Sequence, residues 1–163
     1  MTKEQLDERF VEALFLHREA MYRVAYAMLR SAHDAQDAVS EATIKAYANL
    51  RRLRDWGSVR PWLMRITVNA SHQAMRRRKR EQPQDISLMG NRETPPEKTP
   101  FWMYVDRLPD DMRLILTLRF GEDLPVAEIA RILRLPVGTV SSRISRAKQR
   151  LREDLMKEEE RHD

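Results

Sequence analysis

Cysteine is absent from the 163-residue chain, so neither a disulfide framework nor a thiolate metal site is open to it. Glycine is scarce, with only Gly57, Gly90, Gly121 and Gly138, and these are too scattered to form a phosphate-cradling loop. The four histidines, His17, His33, His72 and His162, show no ligand spacing, so no metal and no cofactor is expected. No apolar run approaches the roughly 20 residues of a membrane span. The opening MTKEQLDERF lacks the apolar core of a signal peptide. These absences lead to the expectation of a cytoplasmic protein without membrane insertion. A nucleic-acid enzyme would call for clustered carboxylates beside a glycine loop. Neither is visible, so no catalytic residue is assigned.

What the chain has in abundance is charge. Charged residues make up 34% and hydrophobic ones 42%, which describes a soluble, helix-prone protein. The net charge of +5 is unevenly spread: residues 1–80 carry +7, residues 81–101 carry −2, and residues 102–163 are neutral. Between Arg51 and Arg80 ten basic residues face one acid, Asp55. From Arg134 to Arg152 there are six basic residues and no acid. Two separated basic surfaces point to two contacts with a polyanion.

The second surface lies on a pattern of two helices joined by a tight turn, from Leu124 to Leu151. The first helix carries Ile129, Ala130 and Leu133 on one face. Val140, Ile144, Ala147 and Leu151 on the second are spaced i, i+4, i+7 and i+11, one stripe of a helix. Leu135-Pro136-Val137-Gly138 separates the two, because a proline disfavours helical backbone in the residue before it. Small Ala130 permits a close crossing. The outward face of the second helix offers Thr139, Ser141, Ser142, Arg143, Ser145, Arg146, Lys148 and Gln149. Short hydroxyls reach base edges and long cations reach phosphates, as a helix in a major groove requires.

Three helices are expected before that. The first runs from about Gln5 to Leu29 on Phe10, Leu14, Met21, Val24, Ala25 and Met28. The next starts with Asp34 as its cap and continues to about Leu53, with Ala35, Val39, Ala42, Ala46 and Leu50 inside. Asp34, Asp37 and Glu41 lie on a different, exposed face, where nothing local pairs with them, so they are available to a protein partner. Arg51–Arg60 reads as a loop pivoting at Gly57, with Trp56 either stacking on a base or capping the core. A third helix has Pro61 in its first turn and Ser58 as a possible cap. Its expected inner face is Trp62, Ile66, Ala70 and Ala74. It ends in Arg76-Arg77-Arg78-Lys79-Arg80, five cations whose mutual repulsion is best relieved by phosphate.

Residues 81–101 hold four prolines and few apolar side chains and read as a flexible linker, extending to at most about 70 Å. That reach matches roughly twenty base-pair steps, so the flanking domains can read DNA elements about two turns apart. Beyond it, Leu108-Pro109-Asp110-Asp111 opens a supporting helix on Leu114, Ile115, Leu118 and Phe120, ended by Gly121. The reading is therefore an all-α chain: a helical domain 1–80, a linker 81–101, and a helix-turn-helix domain 102–163.

These residues carry a family likeness. Asp34-Ala35-Gln36-Asp37-Ala38-Val39-Ser40-Glu41 resembles the polymerase-binding DAEDLxQE stretch of the extracytoplasmic-function (ECF) group of bacterial RNA polymerase sigma factors. Pro61-Trp62-Leu63, Ile66, Asn69 and the basic run at Arg76 resemble that family's promoter-melting helix. Leu108-Pro109 and the series Glu128-Ile129-Ala130, Pro136-Val137-Gly138-Thr139-Val140 and Ser142-Arg143 resemble its −35-reading domain. The likeness covers about residues 8–155, with its motifs in the family's order.

The resemblance implies a non-catalytic function: binding core RNA polymerase, placing it at promoters and helping to open the −10 region, under the control of an anti-sigma factor. It assigns polymerase binding to Asp34, Asp37 and Glu41. It assigns −10 DNA, including a flipped non-template base at the loop Arg54–Arg60, to Arg54, Trp56, Ser58, Arg60, Arg65, Asn69, Arg76, Arg77 and Arg78. It assigns −35 DNA to Thr139, Ser141, Ser142, Arg143, Ser145, Arg146 and Lys148. Gln73 departs from the family's usual aspartate and Arg134 from its turn glycine, which predicts a strained or differently shaped turn. Ser141 stands where a cation is common, and Gln36 and Ser40 soften the acidic stretch. A stand-alone helix-turn-helix regulator is the competing class, but it would need a dimer interface or ligand domain, and the sequence shows neither.

Overall fold

A computed structural model describes residues 1–81 and 99–162, and it is all-α, with no strand among the described residues. The chain divides into two compact units, Met1–Arg92 and Glu93–Asp163. Most of the expected linker, residues 82–98, lies outside the described residues. Its edges are helical: Glu81 closes one helix and Pro100 and Phe101 open another.

The first unit packs α1 (Lys3–Leu29), α2 (Ala32–Ala48) and α3 (Val59–Glu81) against one another in all three pairings. A capping box starts α1: the Thr2 hydroxyl accepts from the Gln5 amide, and the Gln5 side chain accepts from the Thr2 amide. The helix stops at Arg30, whose φ of 61° is left-handed. The cap of α2 is Ser31, which accepts from the Asp34 amide at 3.3 Å, and not Asp34 as the sequence suggested. Asp34 sits instead in the first turn. The helix also ends earlier than expected, at Ala48, before a short 3₁₀ turn at Leu50–Arg52. Its inner face is nearly all alanine (Ala35, Ala38, Ala42, Ala46), which brings α1 and α3 close. The volume is filled by Met21, Leu29, Leu63, Met64 and Val68.

One expectation about the third helix needs correction. Its buried residues are Leu63, Met64, Thr67, Val68, Ala70 and Ser71, so the inner face is rotated from the predicted Trp62, Ile66, Ala70 and Ala74. Trp62, Ile66 and Ala74 are only partly covered. Thr67 enters the core by donating its hydroxyl to the Leu63 carbonyl at 2.7 Å. The Ser71 hydroxyl is buried with no hydrogen-bond partner. The loop before α3 is a 3₁₀ turn, Trp56–Ser58, capped by Asp55, which accepts from the Gly57 amide at 2.9 Å and from the Ser58 hydroxyl at 3.3 Å. Ser58 directly precedes α3, which begins at Val59. Gly57 has no positive φ, so it is not the pivot its identity suggested.

The second unit comprises α4 (Pro100–Asp106), α5 (Asp110–Leu116), α6 (Val126–Leu133) and α7 (Val137–His162). Helix α4 had no sequence-based expectation. The corner between α4 and α5 is held by Arg113, which is buried and donates to the Leu108 carbonyl at 2.8 Å and to the Asp110 carboxylate at 2.6 Å. Helix α5 continues as a π-helical turn, Thr117–Gly121, with the Glu122 amide bonded to the Thr117 carbonyl. A Cβ on Gly121 would lie 2.8 Å from the Trp102 ring, so the close approach of this turn to α4 requires glycine. Gly121→Ala should therefore destabilise the protein by about 1–3 kcal/mol, the usual range for overpacking. Chemical denaturation with an unchanged m-value checks it, and a wild-type midpoint would refute the clash.

Candidate nucleic-acid interface

In the second unit the helix-turn-helix forms as a bipartite surface. Val140, Ile144, Ala147 and Leu151 of α7 are buried, as are Ile129, Ala130 and Ile132 of α6; Leu133 is only partly covered. The turn depends on Arg134, whose φ of 57° and ψ of 46° are left-handed. Both its own amide and that of Leu135 bond back to the Ala130 carbonyl. Pro136 then caps α7, its carbonyl accepting from the Val140 amide at 3.1 Å. The departure at Arg134 thus puts a side chain on left-handed backbone, which strains that one residue.

Seen from this core, the outward residues of α7 are those the spacing selected. Ser141, Ser142, Ser145, Arg146 and Lys148 are exposed, while Thr139 and Arg143 are partly covered. The Ser142 hydroxyl donates to the Gly138 carbonyl at 3.0 Å, which leaves its oxygen outward as an acceptor. Phe120 does not provide core, as the sequence suggested: it is 42% exposed. Its ring lies between two cations, Arg119 at 5.5 Å and Lys148 at 5.2 Å. Sequence reasoning missed this cluster, because a phenylalanine at helical spacing reads as core.

In the first unit Arg65, Asn69 and Arg76 are exposed on α3. Together with His72 they stand at i, i+4, i+7 and i+11, one line of the helix opposite its buried face. His72 was not singled out by the sequence. Partial burial and then the positive charge of Arg76 hold its imidazole below the usual range. Arg54 and Ser58 are exposed near the 3₁₀ turn, and Arg60 is half-buried. Trp56 is half-buried with the Arg9 guanidinium 4.8 Å above its ring, so one face of the indole is already taken.

The acidic face of α2 is not free of local partners, contrary to expectation. Asp34 is paired with Arg78. Asp37 faces the exposed His33 at 3.5 Å. Glu41 lies 3.9 Å from Lys45 and 3.7 Å from Arg77. Lys45 also donates to Gln73, so the glutamine at this departure joins α2 to α3. The predicted DNA set thus separates: Arg65, Asn69 and Arg76 point outward, whereas Arg77 and Arg78 lean on α2. No group of metal-ligating side chains occurs among the described residues.

Comparison with known proteins places this geometry. Residues 15–81 match the Sigma-70 region 2 model and residues 104–153 the Sigma-70 region 4 model. The chain is 28% identical to the ECF RNA polymerase sigma factor SigW of Bacillus subtilis, covering 91% of this chain and 89% of that one. It is 31% identical to the RNA polymerase sigma-H factor of Pseudomonas aeruginosa, covering 88% and 84%. Among solved structures it resembles the sigma factor RpoE of Bartonella quintana, crystallised with the anti-sigma factor NepR. That match has a TM-score of 0.76 and 26% identity over 90% of this chain and 96% of that one. The fold is also that of CnrH, solved with the cytosolic domain of CnrY, at a TM-score of 0.63 and 22% identity over 90% and 86%.

The strained turn generates a test. Arg134→Gly should raise stability by up to about 1 kcal/mol, because glycine adopts left-handed backbone without the Cβ penalty. Thermal unfolding of the full chain reads it out, and a lowered midpoint would count against the strain.

Proposed function

The chain belongs to the ECF group of bacterial RNA polymerase sigma factors, and from that premise we propose how its surfaces divide the work of transcription initiation. Sigma factors bind core RNA polymerase and direct it to promoters, and they are not enzymes. In this chain α7 reads the upstream, −35 duplex. Its stripe Val140, Ile144, Ala147 and Leu151 is buried, which turns Ser141, Ser142, Ser145, Arg146 and Lys148 outward together. That division of one helix into a buried and a basic hydroxyl face carries the assignment. Arg143 and Thr139, at the edge, complete the set.

The line Arg65, Asn69, Arg76 on α3, with Arg54 and Ser58 beside the turn, receives the −10 region. A base extracted from the duplex costs a few kcal/mol, and a preformed turn, here set by Asp55, offsets part of that. Asp37 and Glu41 face protein, because carboxylates repel DNA and their pairs with His33, Lys45 and Arg77 are long and exposed. Core polymerase is the partner this reading gives them. An anti-sigma factor holds the protein inactive in the cytoplasm until release. The resemblance to the NepR-bound factor supports this. Among the described residues no helix is long and apolar enough to cross a membrane.

Run-off transcription with core polymerase and this protein is the test, and no promoter-specific transcript would overturn the reading. Within it, Asp37→Arg with Glu41→Arg should weaken pull-down of core enzyme. Binding to upstream duplex should stay nearly unchanged, since exposed substitutions alter stability by less than about 0.5 kcal/mol each. Arg143→Ala should weaken upstream duplex binding by about 1–3 kcal/mol, and a normal footprint there would remove Arg143 from the interface.

A further inference from the structure

Within the run Arg76-Arg77-Arg78-Lys79-Arg80, Arg78 differs from its neighbours. Its side chain is only 20% exposed. One guanidinium nitrogen donates to the carbonyl of Leu29, the last residue of α1, at 3.0 Å. The other donates to the carboxylate of Asp34, in the first turn of α2. The Ser31 cap holds the Asp34 amide in that same turn. The α1–α2 corner is therefore gripped from the far end of α3 by one planar fork. Only arginine presents two donors at this fixed geometry.

We propose that Arg78 is a positioning residue and not a phosphate ligand. With Asp34 it forms a clasp that fixes the basic end of α3 against the α1–α2 corner, so that Arg76 and its line reach DNA in register. Asp34 accordingly serves the DNA surface through Arg78, although it lies in the acidic stretch. This rests on reading α3 as a DNA surface.

The test titrates the full chain with a labelled single-stranded oligodeoxynucleotide at several salt concentrations, with thermal midpoints alongside. Arg78→Lys, Arg78→Ala and Asp34→Asn should each weaken binding about three- to ten-fold, as contacts within one network do. Each should keep the wild-type slope of log Kd against log salt, since no phosphate contact is lost. Arg76→Ala should reduce that slope by about 0.7, the value for one contact on a single strand. Asp34→Asn is decisive in sign: removing an acid near a basic surface strengthens DNA binding unless that acid holds the surface in place. The clasp is overturned if Arg78→Lys binds like wild type, if Arg78→Ala itself takes about 0.7 from the slope, or if Asp34→Asn binds more tightly. If the wild-type protein shows no salt-dependent binding, or Arg76→Ala leaves the slope unchanged, the DNA reading has failed instead. The clasp is then judged on the midpoints. Equal falls for Arg78→Ala, Asp34→Asn and the double variant support it, and additive falls overturn it.

Discussion

The corner of the first unit turns on the partly buried ion pair between Asp34 of α2 and Arg78 of α3. A small domain with ten basic residues against one acid between Arg51 and Arg80 works against its own self-repulsion. The acids that relieve it come from outside that stretch, on α2. Asp34 meets Arg78 at the corner, and Glu41 lies between Arg77 and Lys45. Arg65 and Arg76 have no such neighbour and stand outward on one line. On the proposed reading these are the arginines that remain for an external phosphate.

In the second unit the governing constraint is steric. Short helices bury little each, so their turns must be tight. Gly121 lets the π-helical turn lie against Trp102, and left-handed Arg134 reverses the chain between α6 and α7. Arg113 closes the remaining corner, its buried guanidinium donating to the Leu108 carbonyl and to the largely exposed Asp110 carboxylate. These turns seat α7, and on the proposed reading that seat places side chains as short as Ser141, Ser142 and Ser145 against base edges.

Much of this was legible from apolar periodicity. The stripe Val140, Ile144, Ala147, Leu151 and the alanines of α2 stand where the spacing put them, because an apolar side chain has little alternative to burial. The misreadings came where polarity and burial part company. Thr67 enters a core by bonding to its own helix backbone, and Ser71 does so without a bond. Their burial rotates the inner face of α3 away from the tryptophan that a periodicity argument favours. Phe120 fails in the opposite sense: it is exposed, with Arg119 and Lys148 beside its ring. The cap of α2 was mistaken by three residues, since Ser31 and Asp34 are equally capable acceptors in sequence. The clasp could not be read at all: Asp34 and Arg78 are separated by most of the first unit.

On the proposed reading the two DNA surfaces gain by sharing one chain. Exposed arginine–phosphate contacts lose strength steeply with salt, so a handful on α3 or α7 alone gives a weak grip. Tethering converts the second contact into an intramolecular event at a raised effective concentration, about the millimolar range where the tether's length suits the span. The seventeen residues from 82 to 98 span at most about 60 Å fully extended, enough for two elements on one face of a duplex but not for arbitrary spacing. Discrimination then resides in three conditions met together: base edges suited to the serines of α7, a separable base near α3, and a distance the chain can cover. Each condition alone is permissive. Their conjunction is selective, which is how a protein of this size can choose a site without a large interface at either end.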